Sequence, residues 1–216
     1  MKIKVTIPEN LSEVTLGQYQ RYFKIQNENE DENLLAMKMV EIFCNVSSQE
    51  VKNMNISDVF SITNMLADMF EQKPELVKQF KMNGSVYGFI PNLEEMSFGE
   101  YIDLDMFLGD WDNIHKAMGV LYRPIIHSYG NKYNIEDYRI DETDSMKQMP
   151  MDAAFSSMLF FYRLGIELSQ TMMSYLAEKE ESNLVQYLNS LPNGVGINQY
   201  THSLKEILED LKISLN

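Results

Sequence analysis

A second cysteine is missing from this chain of 216 residues, so Cys44 has no internal partner and no disulfide braces the fold. A reducing compartment is the natural expectation. Positive charge is also scarce: Lys plus Arg total 18 against 32 Asp plus Glu, for a net charge of -14 and a pI near 4.6. That balance argues against a broad nucleic-acid footprint or an anionic-membrane surface, both of which need clustered cations. Long apolar runs are lacking too. The most apolar window, AAFSSMLFFYRLGIEL, is broken by Arg163 and Glu167, and the opening MKIKVTIPEN is too short and too charged for a signal-peptide core. Neither a membrane span nor a secretion signal is expected.

Catalytic signatures are equally sparse. His115, His127 and His202 lie far apart with no second ligand at helical spacing, which speaks against zinc. Gly194-Val-Gly196 lacks the third glycine and the preceding strand of a dinucleotide fingerprint, and neither a phosphate loop nor G-x-S-x-G occurs. Cys44 sits among Met39, Val40, Ile42 and Phe43, the setting of a buried structural thiol and not of a nucleophile. The string DLDMFLGDWD holds Asp103, Asp105, Asp110 and Asp112. A calcium loop would need an oxygen ligand two residues after Asp105 and then a glycine, and the chain offers Phe107 and Leu108. On one helix Asp103 and Asp105 would point roughly 200° apart. Solvated helix charge, with Asp112 capping the next helix, is the better reading. No enzyme, cofactor or metal is expected, and a metal-dependent enzyme using the Asp103 to Asp112 cluster stands only as the outlying alternative.

What the chain does contain is a repeat. IPENLSEVTLGQYQ, residues 7 to 20, returns as IPNLEEMSFGEYI, residues 90 to 102, one residue shorter after the proline. Asn10 aligns with Asn92, Leu11 with Leu93, Glu13 with Glu95, Gly17 with Gly99 and Tyr19 with Tyr101. Thr15 with Gln18, and Ser97 with Glu100, have the spacing of a capping box, in which the hydroxyl and the Gln or Glu satisfy backbone N–H groups of the first turn. Val14 with Tyr19, and Met96 with Tyr101, are spaced as hydrophobic staples.

The surroundings of the two caps match as well. KIKVTI, residues 2 to 7, alternates like a strand, and QFKMNGSVYGFI, residues 79 to 90, reads as a hairpin around Asn83-Gly84. Together they predict a small three-stranded antiparallel sheet. Helices follow both caps: MKMVEIF corresponds to HKAMGVLY, and ISDVFSITNML to PMDAAFSSMLFF. The expected fold is mainly α within the α+β class, from two related strand-plus-helices halves, residues 1–78 and 79–178, and a helical extension over 179–216, packed as one domain. Residues 124–149 interrupt the second half as an irregular, Tyr-rich and acidic insertion. The extension ends in THSLKEILEDLKISL, whose Leu204, Ile207, Leu208, Leu211 and Leu215 share a helix face.

Candidate contact residues lie outside the shared part. WDNIHKAMGVLYRPI places Trp111, Ile114, Met118, Leu121 and Tyr122 on a core stripe and leaves His115 and Arg123 as contact candidates. Tyr129, Tyr133, Tyr138, Met146, Met149 and Met151, in or beside the insertion, join them, as do Leu204, Leu208 and Leu211. The opening VTIPENLSEVTLGQYQRYFKI, the second FIPNLEEMSFGEYIDLDMFLGDW and the block HKAMGVLYRPI resemble small acidic proteins encoded among the head and tail genes of tailed bacteriophages, crAss-like and marine phages included. The resemblance covers roughly residues 3 to 25 and 86 to 126; residues 127–149 and the tail after 178 have no counterpart in it. It implies virion building through contacts with other phage structural proteins or with copies of the chain, near the neck or tail, in the virion or the host cytoplasm. A transient tail assembly chaperone that shields apolar segments of a long tail protein is the alternative.

Overall fold

The computed structural model describes residues 4–130 and 132–178, so the predicted final helix, with Leu204, Leu208 and Leu211, lies outside the described residues. The chain divides into two compact units, Met1–Phe155 and Ser156–Asn216, and both copies of the repeat belong to the first. The fold is mixed α+β and mainly helical. In order come α1 (Leu16–Glu28), α2 (Glu32–Phe43), α3 (Ser48–Lys52), α4 (Ile56–Phe70), β1 (Gln79–Met82), β2 (Ser85–Phe89), α5 (Phe98–Phe107), α6 (Ile114–Leu121), β3 (Tyr122–Tyr129), β4 (Lys132–Ile135), a 3-10 run (Ile140–Gln148) and α7 (Met151–Glu178).

Each copy of the repeat builds the same entry. Asn10 caps the 3-10 turn Leu11–Glu13 through its side chain, and Asn92 caps Leu93–Glu95 in the same way. A capping box then opens the helix: the Gln18 amide N–H donates to Thr15 Oγ1 and the Glu100 amide to Ser97 Oγ, while Gln18 and Glu100 reach back to the cap residue's own N–H. A third box, Ser47 with Glu50, opens α3. It carries the same S-x-x-E spacing, read over in the sequence because nothing repeats around it.

The sheet is antiparallel in the order β1-β2-β3-β4, and it corrects two expectations. The Asn83-Gly84 hairpin forms as predicted, with φ of 52° and 80° at its two central residues. Residues 4–7, however, form no strand. Their alternation records half-burial, and a strand also needs a partner. The third strand is instead β3, which pairs with β2 through Gly88 opposite Arg123 and runs on into the insertion; the insertion is not irregular, since β4 folds back on β3 and the 3-10 run follows. Gly88 leaves the space that the Tyr133 ring occupies, and the Tyr133 hydroxyl donates to the Phe89 carbonyl at 2.7 Å.

The core of the first unit is aromatic around α1. Tyr19 packs against Phe70 at 5.3 Å, Trp111 at 5.2 Å and Phe155 at 5.3 Å between ring centroids, and Tyr22 against Phe43 at 5.3 Å. Trp111, Ile114, Met118, Leu121 and Tyr122 are all buried, as their spacing predicts. The chain entering α7 runs antiparallel to the chain entering α1, with Leu16 N–H donating to Met149 O and Met151 N–H to Val14 O, both at 2.9 Å.

Candidate functional site

The two helix starts share a cap and differ in what lies over it. On α1, Leu16 and Tyr19 are buried; on α5, the equivalent Phe98 and Tyr101 are 78% and 52% exposed. Ile102 and Met106 are exposed beside them, at 41% and 61%. At about 100° per residue, Tyr101, Asp105, Phe98, Ile102 and Met106 fall in sequence around an arc of about 140°. The opposite side of α5, through Glu100 and Leu104, is buried, and α5 packs on α6. The outer arc is therefore an apolar strip with one carboxylate, Asp105, set between Tyr101 and Phe98.

That strip is held on a rigid support by the residue at the third helical position. The Glu100 carboxylate accepts from Ser97 N–H with one oxygen, and with the other it meets Arg123 Nη1 on β3 at 2.8 Å, both side chains nearly buried. Burial pushes the Glu100 pKa upward, but the Ser97 hydrogen bonds and the Arg123 charge outweigh it and hold the carboxyl below its usual range. Tyr138 donates to Asp103 Oδ2 at 3.0 Å, fastening the insertion to the flank of the same helix. Burial, then that hydrogen bond, raise the Tyr138 phenol well above its ordinary pKa. In the first copy the same position holds Gln18, whose amide instead donates to the Ile42 carbonyl at the end of α2 at 2.8 Å. The choice of Gln or Glu follows from the second partner: a carbonyl needs a donor, a guanidinium needs an acceptor.

Most residues marked as contact candidates are framework. His115 is buried, 3.2 Å from Gln20 Nε2 through Nδ1 and 3.3 Å from Asp144 through Nε2. With the Gln20 Nε2 nitrogen, which can only donate, facing Nδ1, Nδ1 accepts and the ring proton sits on Nε2 towards Asp144. Burial, helped by the Lys147 charge and opposed by Asp144, lowers the His115 pKa, so the ring is neutral at neutral pH and bridges α1, α6 and the 3-10 run. Met146, Met149 and Met151 are buried, against the expectation that they are exposed. Met149 and Met151 also pair through their backbones with Leu16 and Val14 at the start of α1. Arg123 and Tyr133 are occupied by Glu100 and Phe89 O, and Tyr138 by Asp103. Tyr129 alone of these described candidates is largely exposed, at 73%.

The four aspartates do not converge. Asp103 faces Tyr138, Asp105 lies on the outer arc, and Asp110 accepts from the Asp112 and Asn113 nitrogens at 3.0 and 2.7 Å. Asn113, not Asp112, is the cap residue of α6, since the turn closed by Asp110 carries the chain one residue further. Among the described residues no group of three His, Cys, Asp or Glu is placed to hold a metal ion. Cys44 is buried, and burial pushes its thiol up to about 11. Arg123 borders a cavity of about 100 Å³ with Tyr87, Arg139 and Thr143, well below the ~300 Å³ at which small-molecule sites begin.

The α5 strip has no mark of its own in the sequence, where Tyr101 reads as a staple residue and Phe98, Ile102 and Met106 carry no motif. Phe98, Tyr101, Ile102 and Met106 are apolar at helical spacing, and no local signal says whether another helix covers them. No helix among the described residues is long and apolar enough to cross a membrane. Compared with protein-family models, with curated proteins and with solved structures, the chain matches none.

Proposed function

We propose that this protein builds bacteriophage particles near the neck or tail through protein–protein contacts, without chemistry of its own, and that the α5 strip is its main contact. The observation that carries the binding reading is the contrast between copies: Leu16 and Tyr19 are core on α1, while their counterparts Phe98 and Tyr101 on α5 are solvent-exposed beside Ile102 and Met106. Large apolar side chains grouped on a rigid, well-capped element mark interaction surfaces in soluble proteins. The phage setting rests on the resemblance of residues 3–25 and 86–126. The high negative charge suits a free subunit that must stay soluble before assembly and then meet a basic partner.

Mass spectrometry of purified particles tests the role. Stoichiometric presence in mature virions is the expected result. Presence in infected lysate with absence from particles would instead favour the transient tail assembly chaperone, for which the same strip would shield an apolar segment of a long tail protein.

A further inference from the structure

The α5 strip carries a signature of the partner that fits it, and we propose that its occupant is a cationic amphipathic segment of another protein: an apolar ridge with a Lys or Arg placed against Asp105. This rests on the protein-binding reading above and names the chemistry of the partner. Two observations point the same way. The first is steric. Tyr19, the α1 counterpart of Tyr101, is covered by the rings of Phe70 on α4 and Trp111 in the turn before α6, so an aromatic at this position takes apolar side chains from another element as its cover. The second is electrostatic. Residues 85 to 114 contain seven acidic residues and no Lys, Arg or His, and α5 lies in the middle of that stretch. Asp105 is exposed between Phe98, Tyr101, Ile102 and Met106, and among the described residues no ion pair engages it.

A carboxylate in the centre of an apolar contact must meet a cation there or be buried unpaired, which is costly. A second copy docking through the same strip would bring Asp105 against Asp105 within an acidic surround, and like charges across an interface suppress association. A partner helix with apolar residues three and four apart and one basic residue facing Asp105 meets both demands.

The test uses the full chain and a fluorescein-labelled helical peptide of Leu and Lys, Leu on one face, about 14 residues or four turns long, with a Leu/Glu peptide of the same pattern beside it. Fluorescence anisotropy is expected to show saturable binding of the Leu/Lys peptide and none of the Leu/Glu peptide. Asp105→Lys and Ile102→Lys, both on exposed positions, should each weaken binding by about tenfold or more, while Glu30→Lys, an exposed charge on the α1–α2 linker, should leave it unchanged. Circular dichroism melts identify any variant that unfolds, in which case Asp105→Asn serves in its place. Equal loss on Glu30→Lys, or equal binding of the Leu/Glu peptide, overturns the proposal, since the peptide would then be reading overall charge or greasiness alone. Concentration-dependent dimerisation of the parent that Ile102→Lys abolishes overturns it in favour of a second copy. Failure of the parent to bind also overturns it; if Leu204→Ser/Leu208→Ser/Leu211→Ser in the full chain then restores binding, the occupant is this chain's own final segment. A failed peptide experiment with the protein stoichiometric in particles removes the partner chemistry and leaves the virion role. Peptide binding with the protein missing from particles does the reverse.

Discussion

Thr15 and Ser97 open two helices with the same hydrogen bonds, yet the helix behind Thr15 is the centre of a core and the helix behind Ser97 displays its apolar residues to solvent. A capping box involves four consecutive residues and their own backbone, so its hydrogen bonds need nothing from the rest of the chain. Burial of Tyr19 or Tyr101 depends on what the rest of the chain brings alongside. The first copy receives α2, α4, Trp111 and Phe155; the second receives α6 on its inner side, a sheet that holds Arg123, and, among the described residues, nothing comparable on its outer side. The same local structure thus ends in two different environments.

Substitution of the paired tyrosines should separate the copies most widely. Tyr19→Ala is expected to cost about 3–5 kcal/mol in urea denaturation, the usual loss for a large buried aromatic, and Tyr101→Ala less than about 0.5 kcal/mol. Comparable losses at both sites would mean that α5 is covered in solution.

Exchange of the third-position residues comes next. Glu100→Gln leaves Arg123 nearly buried without its carboxylate and should cost about 3 kcal/mol; Gln18→Glu removes the donor to Ile42 O and should cost about 1–3 kcal/mol. The folded pKa of Glu100 is depressed, so its contribution is complete above the ordinary glutamate range and is lost as pH falls through the folded value. Denaturation midpoints of the parent should therefore decline in acid, and Glu100→Gln should flatten that decline. An unchanged acid limb would assign it to other groups, such as His115, whose lowered pKa gives the same sign.

The paired glycines offer a smaller contrast of opposite sign. A Cβ on Gly17 would lie 2.9 Å from the Lys147 carbonyl oxygen, whereas Gly99 has nothing within 4 Å. Gly17→Ala should destabilise by about 1–3 kcal/mol through overpacking. Gly99→Ala should stabilise by about 0.4–1 kcal/mol by restricting the unfolded chain. Thermal melts that moved in the same direction for both would contradict the close approach of the 3-10 run to α1.

The caps themselves should be alike: Thr15→Ala and Ser97→Ala are each expected to cost about 1 kcal/mol. Peptide binding by Ser97→Ala should match the parent at temperatures where the variant is folded. Loss of binding with unchanged stability would make Ser97 a contact residue and not a cap.

Much of the framework was legible in the sequence. The two capping boxes, the Asn83-Gly84 hairpin and the Trp111 to Tyr122 stripe are set by residues close in the chain, and all three stand as read. The strand expected over residues 2–7 failed over its described part, since alternation does not name a partner. The insertion read as irregular proved to hold β4 and most of β3, where β3 pairs with β2 about 35 residues back while the β3–β4 hairpin is local and its Tyr129-to-Lys132 turn went unread. His115 and Met146 read as contacts and are core, while Phe98 and Tyr101 sat in the motif read as structural and are exposed.

Local residues suffice to specify the starts of α1 and α5, the turn that closes the hairpin and the apolar faces of the helices, since hydrogen bonds to a neighbouring backbone and the 3.6-residue period need no distant information. Which of those apolar faces became core was settled by the packing of the whole chain. Covering a face takes side chains from 24 to 136 positions away, as with Phe43 and Phe155 around Tyr19, and no spacing within α1 or α5 records whether they arrive.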